Sequence, residues 1–438
     1  MDGSLIRSSP RSATRDQVKI SRALFEATCE ATELACRLDQ AADAALAEFF
    51  RDHRQLGSHD RPFVADTVFT ILRHKRLLET IVPKPAPHRL VLASLLKFQG
   101  FPLENLLPLS ADSDRTWLTH VEQTDSEALP PAIRLSLPDW LWQSLRTQYG
   151  EDRAISLAKA LLEPAPLDLR VNTLITTREK VLASFAADGM GAQLTPYSPI
   201  GIRLKGKPSL HRNPLMLNGA IEVQDEGSQL LGLIVEPARR QMVVDFCAGA
   251  GGKTLLLGAM MRNQGRLYAF DISATRLEIL KQRAKRAHLS IVQPQMIGSE
   301  RDPRIARLAG KVDRVLVDAP CSGLGTLRRS PELKWRQSPH SVKELANKQR
   351  SILDASSQLL KPGGRLIYAT CSLLADESQN IVEDFLTAQN GRFRLLDCQP
   401  VLESQHIDLP VDTWLQVLPD VHHCDGFFAA VMERAPEA

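Results

Sequence analysis

Apolar positions in the first quarter of this chain recur at intervals of three and four residues. Leu24, Ala27, Ala31, Leu34 and Ala35 form one series, Ala45, Leu46 and Phe49 a second, and Phe63, Val64, Val68 and Leu72 a third. That period predicts amphipathic helices over residues 17–118, and hence a small all-helical domain. Gly100, Pro102, Pro108 and the polar run at 110–114 interrupt it, and the proline-rich stretch SEALPPAIRLSLPDW marks a boundary near 127–138. Leu141, Leu145, Leu157 and Leu161 then continue the helical period on either side of Gly150. Residues 1–15, polar and rich in Ser and Arg, read as a disordered tail.

Further along, the pattern changes. DLRVNTL at 168–174 alternates as a strand does, TREKVLASFAADGM at 177–190 has helical spacing, and AIEVQDEGSQLLGLIV at 220–235 supplies another strand and helix. Beyond Pro237 short apolar runs alternate regularly with helical segments. The runs are MVVDF, RLYAF, IVQPQMI, RVLVD and RLIYAT; helices are expected from Lys253, over 274–287, 342–360 and 377–388, with a closing strand at 429–432. This rhythm predicts an α/β fold with a doubly wound, mainly parallel sheet. The resulting division is a tail (1–15), a helical domain (16–137), a helical linker with a small α+β segment (138–236) and a catalytic α/β domain (237–438).

Composition narrows the class of protein. The chain has 438 residues, 43% hydrophobic and 24% charged, and no apolar run long enough to span a membrane. Its opening, MDGSLIRSSPRSATRDQ, lacks the apolar core of a signal peptide, so a cytoplasmic protein is expected; a monomer is expected as well. Seven cysteines without a CxxC pair argue against a disulfide framework and a structural zinc site. His422, His423 and Cys424 are adjacent and read as a surface turn, so no metal is expected. A net charge of +3 leaves nucleic-acid binding to local patches.

Candidate chemistry begins with DFCAGAGGKT at 245–254, a glycine-rich loop between a strand and a helix. Gly252, Lys253 and Thr254 match the end of a phosphate-binding P-loop, but Cys247 occupies the place of its first glycine. The competing reading is a Rossmann-type methyltransferase, whose loop packs on S-adenosylmethionine. That reading requires an acidic residue ending the next strand, to accept from the ribose hydroxyls. Asp271 stands there, 26 residues after Asp245, although an Asp before a helix can equally be an N-cap.

Two thiols follow the last two of these strands: Cys321 in VLVDAPCSG and Cys371 in RLIYATCS. Thiols beyond parallel strand ends point toward the crevice where such sheets bind ligands, although free cysteine is most often a core residue. Carbon 5 of a pyrimidine is a poor nucleophile. A thiolate adding at carbon 6 makes it enamine-like, and a neighbouring acid at ring nitrogen 3 stabilises the developing charge. Asp318, three residues before Cys321, is placed for that role. By chemistry alone either thiol can be the nucleophile.

Taken together, DFCAGAGGKT, DAPCSGLGTLRRSPELKW, YATCS and the terminal DGFFAA resemble the RsmB/Nop/Sun family of RNA 5-methylcytosine methyltransferases across residues 165–436. GSHDRPFVADTVFTILRH at 57–74 resembles the NusB-like RNA-binding domain that RsmB-type members carry. The resemblance implies a Rossmann-type S-adenosylmethionine domain, Cys371 as nucleophile, and Cys321 assisting product release. It implies Asp318 at the target base and close to the methyl donor. Cys247, Ala248, Gly249, Ala250, Gly251, Gly252, Lys253 and Asp271 would hold the cofactor. Two departures stand out. Gly249 and Ala250 replace the family's usual Ala and Pro, and SERD follows the third strand, leaving Glu300 or Asp302 to meet the adenine amino group. The strip Arg328, Arg329, Lys334, Trp335 and Arg336 suits RNA phosphates and an unstacked base, whereas the basic helix at 280–288 reads as a solvated face. Small-subunit (16S) ribosomal RNA is favoured over transfer RNA as substrate. A P-loop NTPase and a noncatalytic RNA-binding scaffold are the alternatives of a different class.

Overall fold

The computed structural model describes residues 20–111 and 114–436. The tail expected at 1–15 lies outside the described residues. The chain forms two compact units: a helical one reaching Leu162 and including Ser330–Arg336, and an α/β one made of Glu163–Arg329 and the chain from Gln337 onward. The helices on either side of Gly150, Asp139–Tyr149 and Glu151–Leu161, fall within the helical unit.

In the helical unit, the helix Arg22–Cys36 starts at Ser21, whose hydroxyl accepts from the Leu24 amide at 3.1 Å. Its Ala27, Ala31 and Ala35 pack with Leu46 and Phe49 of Ala42–Asp52 and with Val64, Val68 and Leu72 of Asp60–Arg73. The small alanines let these helices approach closely. The segment Ser330–Arg336 closes the end of Asp60–Arg73. There the Leu72 carbonyl accepts from Trp335 Nε1 at 2.8 Å and the Arg73 carbonyl from Lys334 Nζ at 2.7 Å, satisfying oxygens that a helix end leaves without intrahelical donors.

The α/β unit opens with a four-stranded antiparallel sheet: β1 (Leu167–Val171), β2 (Ala192–Leu194), β3 (Gly201–Leu204) and β4 (Ile221–Val223), in the order β2-β3-β1-β4. The main sheet follows. Its strands are β5 (Met242–Asp245), β6 (Arg266–Asp271), β7 (Val292–Met296), β8 (Val312–Asp318), β9 (Leu360–Thr370), β10 (Phe393–Leu396), β11 (Leu415–Val417) and β12 (Phe427–Arg434). They lie in the order β10-β12-β9-β8-β5-β6-β7, with β11 on β12. The β5 to β9 pairings are parallel, while β10, β11 and β12 run antiparallel to their neighbours. Pro294 is compatible with β7 because β7 is an edge strand. The chain moves outward from β5 through β6 to β7 and returns to β8 on the other side of β5. This reversal opens a crevice at the carboxyl ends of β5 and β8.

Candidate active site

A cavity of about 400 Å³ occupies that crevice. Asp245, Asp271 and Asp318, the terminal residues of β5, β6 and β8, all contribute to its wall. The glycine loop supplies Cys247, Ala248, Gly249, Ala250, Gly252 and Lys253, and Glu300, paired with Lys348, also lines the cavity. Gly251, expected among the cofactor contacts, is not on the wall. At φ 89° it forms the left-handed turn into the helix Gly252–Met260, and a β-carbon there would press on Leu280. Asp302 is also absent, because its carboxylate caps the turn Pro303–Ala306 and binds Arg304.

The carboxylates differ in their partners. Asp271 accepts from the Gly249 amide at 2.9 Å and the Ser273 amide at 2.8 Å, whereas the N-cap of the next helix is Ser273. Asp245 is 1% exposed. Its Oδ2 accepts from Thr254 at 2.7 Å, while Oδ1 is buried without a hydrogen-bond partner. Burial pushes its pKa up to about 7, against the Thr254 hydrogen bond and with the nearby Asp318 charge adding to the rise. Lys253 Nζ lies 2.7 Å from Asp318 Oδ2 and above the Phe427 ring. Its burial works against the charged form, but the Asp318 carboxylate holds it above the ordinary lysine value. Glu300 is held down to about 2 by hydrogen bonds from Lys348 and Ser351.

The two thiols meet. Asp318 of β8 is paired with Ala369 of β9, so the loops beyond these parallel strands emerge side by side. They bring Cys321 Sγ within 3.3 Å of Cys371 Sγ, both thiols keeping partial exposure. Cys321 is pushed well above the usual thiol range by its hydrogen bond to Cys371, by enclosure, and by the negative charge of Cys371 and Glu377.

The basic strip is corrected by the structure. Lys334 is 3% exposed, and it and Trp335 are committed to the carbonyls at the end of Asp60–Arg73 within the helical unit. Arg329 forms ion pairs with Asp225 at 2.7 Å and Asp425 at 2.5 Å, and Arg328 donates to the Pro164 carbonyl at 3.2 Å. Arg336 alone of the five is exposed. The basic helix at 280–288 is not simply solvated either: Arg283 donates to the Ala250 carbonyl at 2.7 Å and, with Arg286, pairs with Glu222 of β4. Arg170 of β1 reaches the Gly252 carbonyl at 2.5 Å. The small sheet thus braces the glycine loop, a role that no local motif announces. Cys424 is fully buried, so the HHC segment is not wholly a surface turn. Among the described residues no group of three or more His, Cys, Asp or Glu side chains is placed to hold a metal ion, and no helix is long and apolar enough to cross a membrane.

The family model for 16S rRNA methyltransferases RsmB/F matches residues 232–433, and one for the ferredoxin-like domain of RsmF/B-like methyltransferases matches 137–211. A probable ribosomal RNA small subunit methyltransferase B from Synechocystis is 30% identical over 433 residues, covering 91% of this chain and 96% of its own. The ribosomal RNA small subunit methyltransferase B of Shewanella oneidensis is 34% identical over 303 residues, covering 69% of this chain and 68% of its own. A crystal structure of a methyltransferase homolog from Pyrococcus horikoshii aligns with a TM-score of 0.61 at 27% identity, over 71% of this chain and 100% of that one. Since the Synechocystis relative aligns along nearly its whole length and the glycine loop stands at a methyltransferase switch point, the chain belongs to the RsmB/F family of 16S rRNA methyltransferases.

Proposed function

We propose that this protein transfers a methyl group from S-adenosylmethionine to carbon 5 of a cytosine in RNA, with small-subunit ribosomal RNA as substrate, through a covalent bond from Cys371 to carbon 6. The observation that carries the reading is the 3.3 Å approach of Cys321 to Cys371 beyond the strand that ends in Asp318. Such a pair can divide nucleophilic attack and proton removal between two sulfurs.

The cavity fits the cofactor. The unpartnered Asp245 Oδ1 suits its ammonium group, Asp271 its ribose hydroxyls, and the loop amides at the start of Gly252–Met260 its carboxylate. When bound, S-adenosylmethionine supplies an electrophilic methyl group. Lys253, which a P-loop would direct to phosphates, is engaged with Asp318, and this counts against the NTPase alternative.

The protein's own residues then act on the base. The Cys371 thiolate adds to carbon 6, and the electrons of the 5,6 double bond move into the ring. Nitrogen 3 takes up a proton relayed through Asp318 from the Lys253 ammonium behind it, 2.7 Å from that carboxylate. Before attack, Cys321 is kept protonated by its hydrogen bond to Cys371. Once Cys371 is bonded to carbon, that acceptor and its charge are gone, which removes the largest cause holding the Cys321 proton and leaves only enclosure and the Glu377 charge. With carbon 5 methylated, nitrogen 3 returns its proton through Asp318; Cys321 releases its own proton to solvent and accepts the one leaving carbon 5, and the electrons of that carbon–hydrogen bond re-form the 5,6 double bond as the Cys371 thiolate leaves.

The test is incubation of the protein with S-adenosylmethionine carrying a labelled methyl group and either unmodified 16S ribosomal RNA or transfer RNA, followed by bisulfite sequencing. Label at carbon 5 of one ribosomal cytosine is expected. Tight ATP binding without S-adenosylmethionine binding, or label on another atom, would sink the proposal.

A further inference from the structure

Behind the thiols lies a carboxylate that the reaction described above does not use. Glu377 ends the turn Ala375–Glu377 and is completely buried. A buried carboxylate is costly unless donors surround it. Here Oε1 accepts from the Ser322 amide at 2.8 Å and from Gln349 Nε2 at 3.0 Å, while Oε2 accepts from the Ser372 hydroxyl at 2.6 Å and from the Ser322 hydroxyl. Ser322 and Ser372 are the residues immediately after Cys321 and Cys371. Thus one side chain binds both thiol-bearing loops at corresponding positions.

The carboxylate is itself fixed by its surroundings. The Tyr368 hydroxyl donates to the Glu377 carbonyl at 2.8 Å, and Gln349 donates to the Pro320 carbonyl at 2.9 Å, fastening the same assembly to β9 and to the helix Pro339–Ser357. A second link runs from the Gly325 amide to the Cys371 carbonyl at 2.8 Å. An apolar side chain could fill the same space. It could not accept four hydrogen bonds from the neighbours of two reactive sulfurs.

We propose that Glu377 is a positioning residue: its carboxylate ties Ser322 to Ser372 and thereby holds Cys321 and Cys371 at the separation that lets them divide attack and proton removal during methyl transfer. This rests on the cytosine reading above. A displacement of about 1 Å at reacting groups costs on the order of 100-fold in rate, so the effect should be large.

The experiment uses the full chain and two readouts. One is the rate at which diamide joins the two sulfurs, the thiols giving up two hydrogens as diamide is reduced to the hydrazine, followed by peptide mass mapping of the Cys321–Cys371 disulfide. The other is single-turnover RNA methylation, with S-adenosylmethionine affinity measured alongside. Glu377→Ala should slow cross-linking about tenfold and methylation about 100-fold, with cofactor affinity within about threefold of the parent. Glu377→Gln keeps the shape, and the serine hydroxyls can turn to accept from its amide, so it should restore both rates to within about fivefold. Cross-linking of Glu377→Ala at the parent rate would overturn the proposal, as would an equal loss of methylation and cofactor binding that Glu377→Gln fails to restore. If Glu377→Ala does not fold, the double change Ser322→Ala with Ser372→Ala takes its place: slowed cross-linking supports the tie and a parental rate refutes it. A parent protein that methylates no RNA would defeat the cytosine reading, while the cross-linking rates would still decide the positioning role.

Discussion

Lys253 places its ammonium 2.7 Å from the Asp318 carboxylate, joining the glycine loop after β5 to the end of β8. The lysine is the more buried partner, at 9% exposure, whereas Asp318 is half-buried. Asp318→Asn leaves a buried cation without its counter-charge and should cost ~3 kcal/mol of stability; Lys253→Met should cost nearer ~1 kcal/mol. The double variant should recover part of the loss, because no charge is then stranded. Urea unfolding of the four proteins measures the coupling, and additive costs would contradict an interacting pair.

The two thiols should fail in different ways. Cys371→Ala removes the proposed nucleophile and should lower turnover by ~10⁴ or more, leaving no covalent complex with RNA. Cys321→Ala permits attack but impairs release, so protein should accumulate bonded to RNA as a denaturation-resistant band on a gel. If RNA is trapped only by the Cys371 variant, the two roles are reversed.

Asp245 makes cofactor affinity depend on pH. With its pKa raised to about 7 by burial, this carboxyl is largely neutral at pH 6 and ionised at pH 8 in the free protein. Its charged neighbours are Asp318, Asp271 and Lys253. The proposed ammonium contact needs the ionised form, so S-adenosylmethionine affinity should rise about tenfold between pH 6 and pH 8. Asp245→Asn should flatten this dependence. The stability effect has the opposite sign: a raised folded-state pKa means the buried charge destabilises the free protein as pH rises from about 4 through 7. Asp245→Asn should therefore raise the melting temperature at pH 8 while weakening binding. Calorimetry and binding titrations across this range give both signs, and a parallel pH response in the Asn variant would exclude Asp245 as the source.

The strand-to-helix rhythm after Pro237 predicts the parallel core of the sheet because apolar runs of ordinary length mark its central strands. β11, with three residues, is too short to stand out from its surroundings, and the short run of β10 is broken by Arg394. Glu377 is expected at the start of a helix, yet it lies in the preceding turn and the helix begins at Gln379. The glycine loop, Asp271 and the paired cysteines are recognisable because their chemistry is local. The buried ties are not: Arg329 looks like an RNA contact until Asp225 and Asp425, 104 and 96 residues away, arrive beside it. Likewise Arg283 belongs to a basic helix face in sequence, while its partners Ala250 and Glu222 are brought to it only by the fold.

Charge within the segment at 328–336 therefore divides into structural and solvent-facing parts. Lys334 is buried, and burial beside Arg73 pushes its pKa well below the ordinary lysine value, so it cannot offer an exposed cation to phosphate. Arg336 remains exposed. A contact to single-stranded RNA contributes about 0.7 to the slope of log affinity against log salt. Arg336→Ala should reduce the magnitude of that slope by about this amount, with a uniform loss of affinity across RNA sequences. Lys334→Met should leave the slope unchanged and alter thermal stability, since it removes the donor that closes the helix Asp60–Arg73. A fluorescence-anisotropy titration over a range of salt concentrations separates the two. A reduced slope for Lys334→Met in a normally folded protein would show that the side chain reaches phosphate when RNA binds.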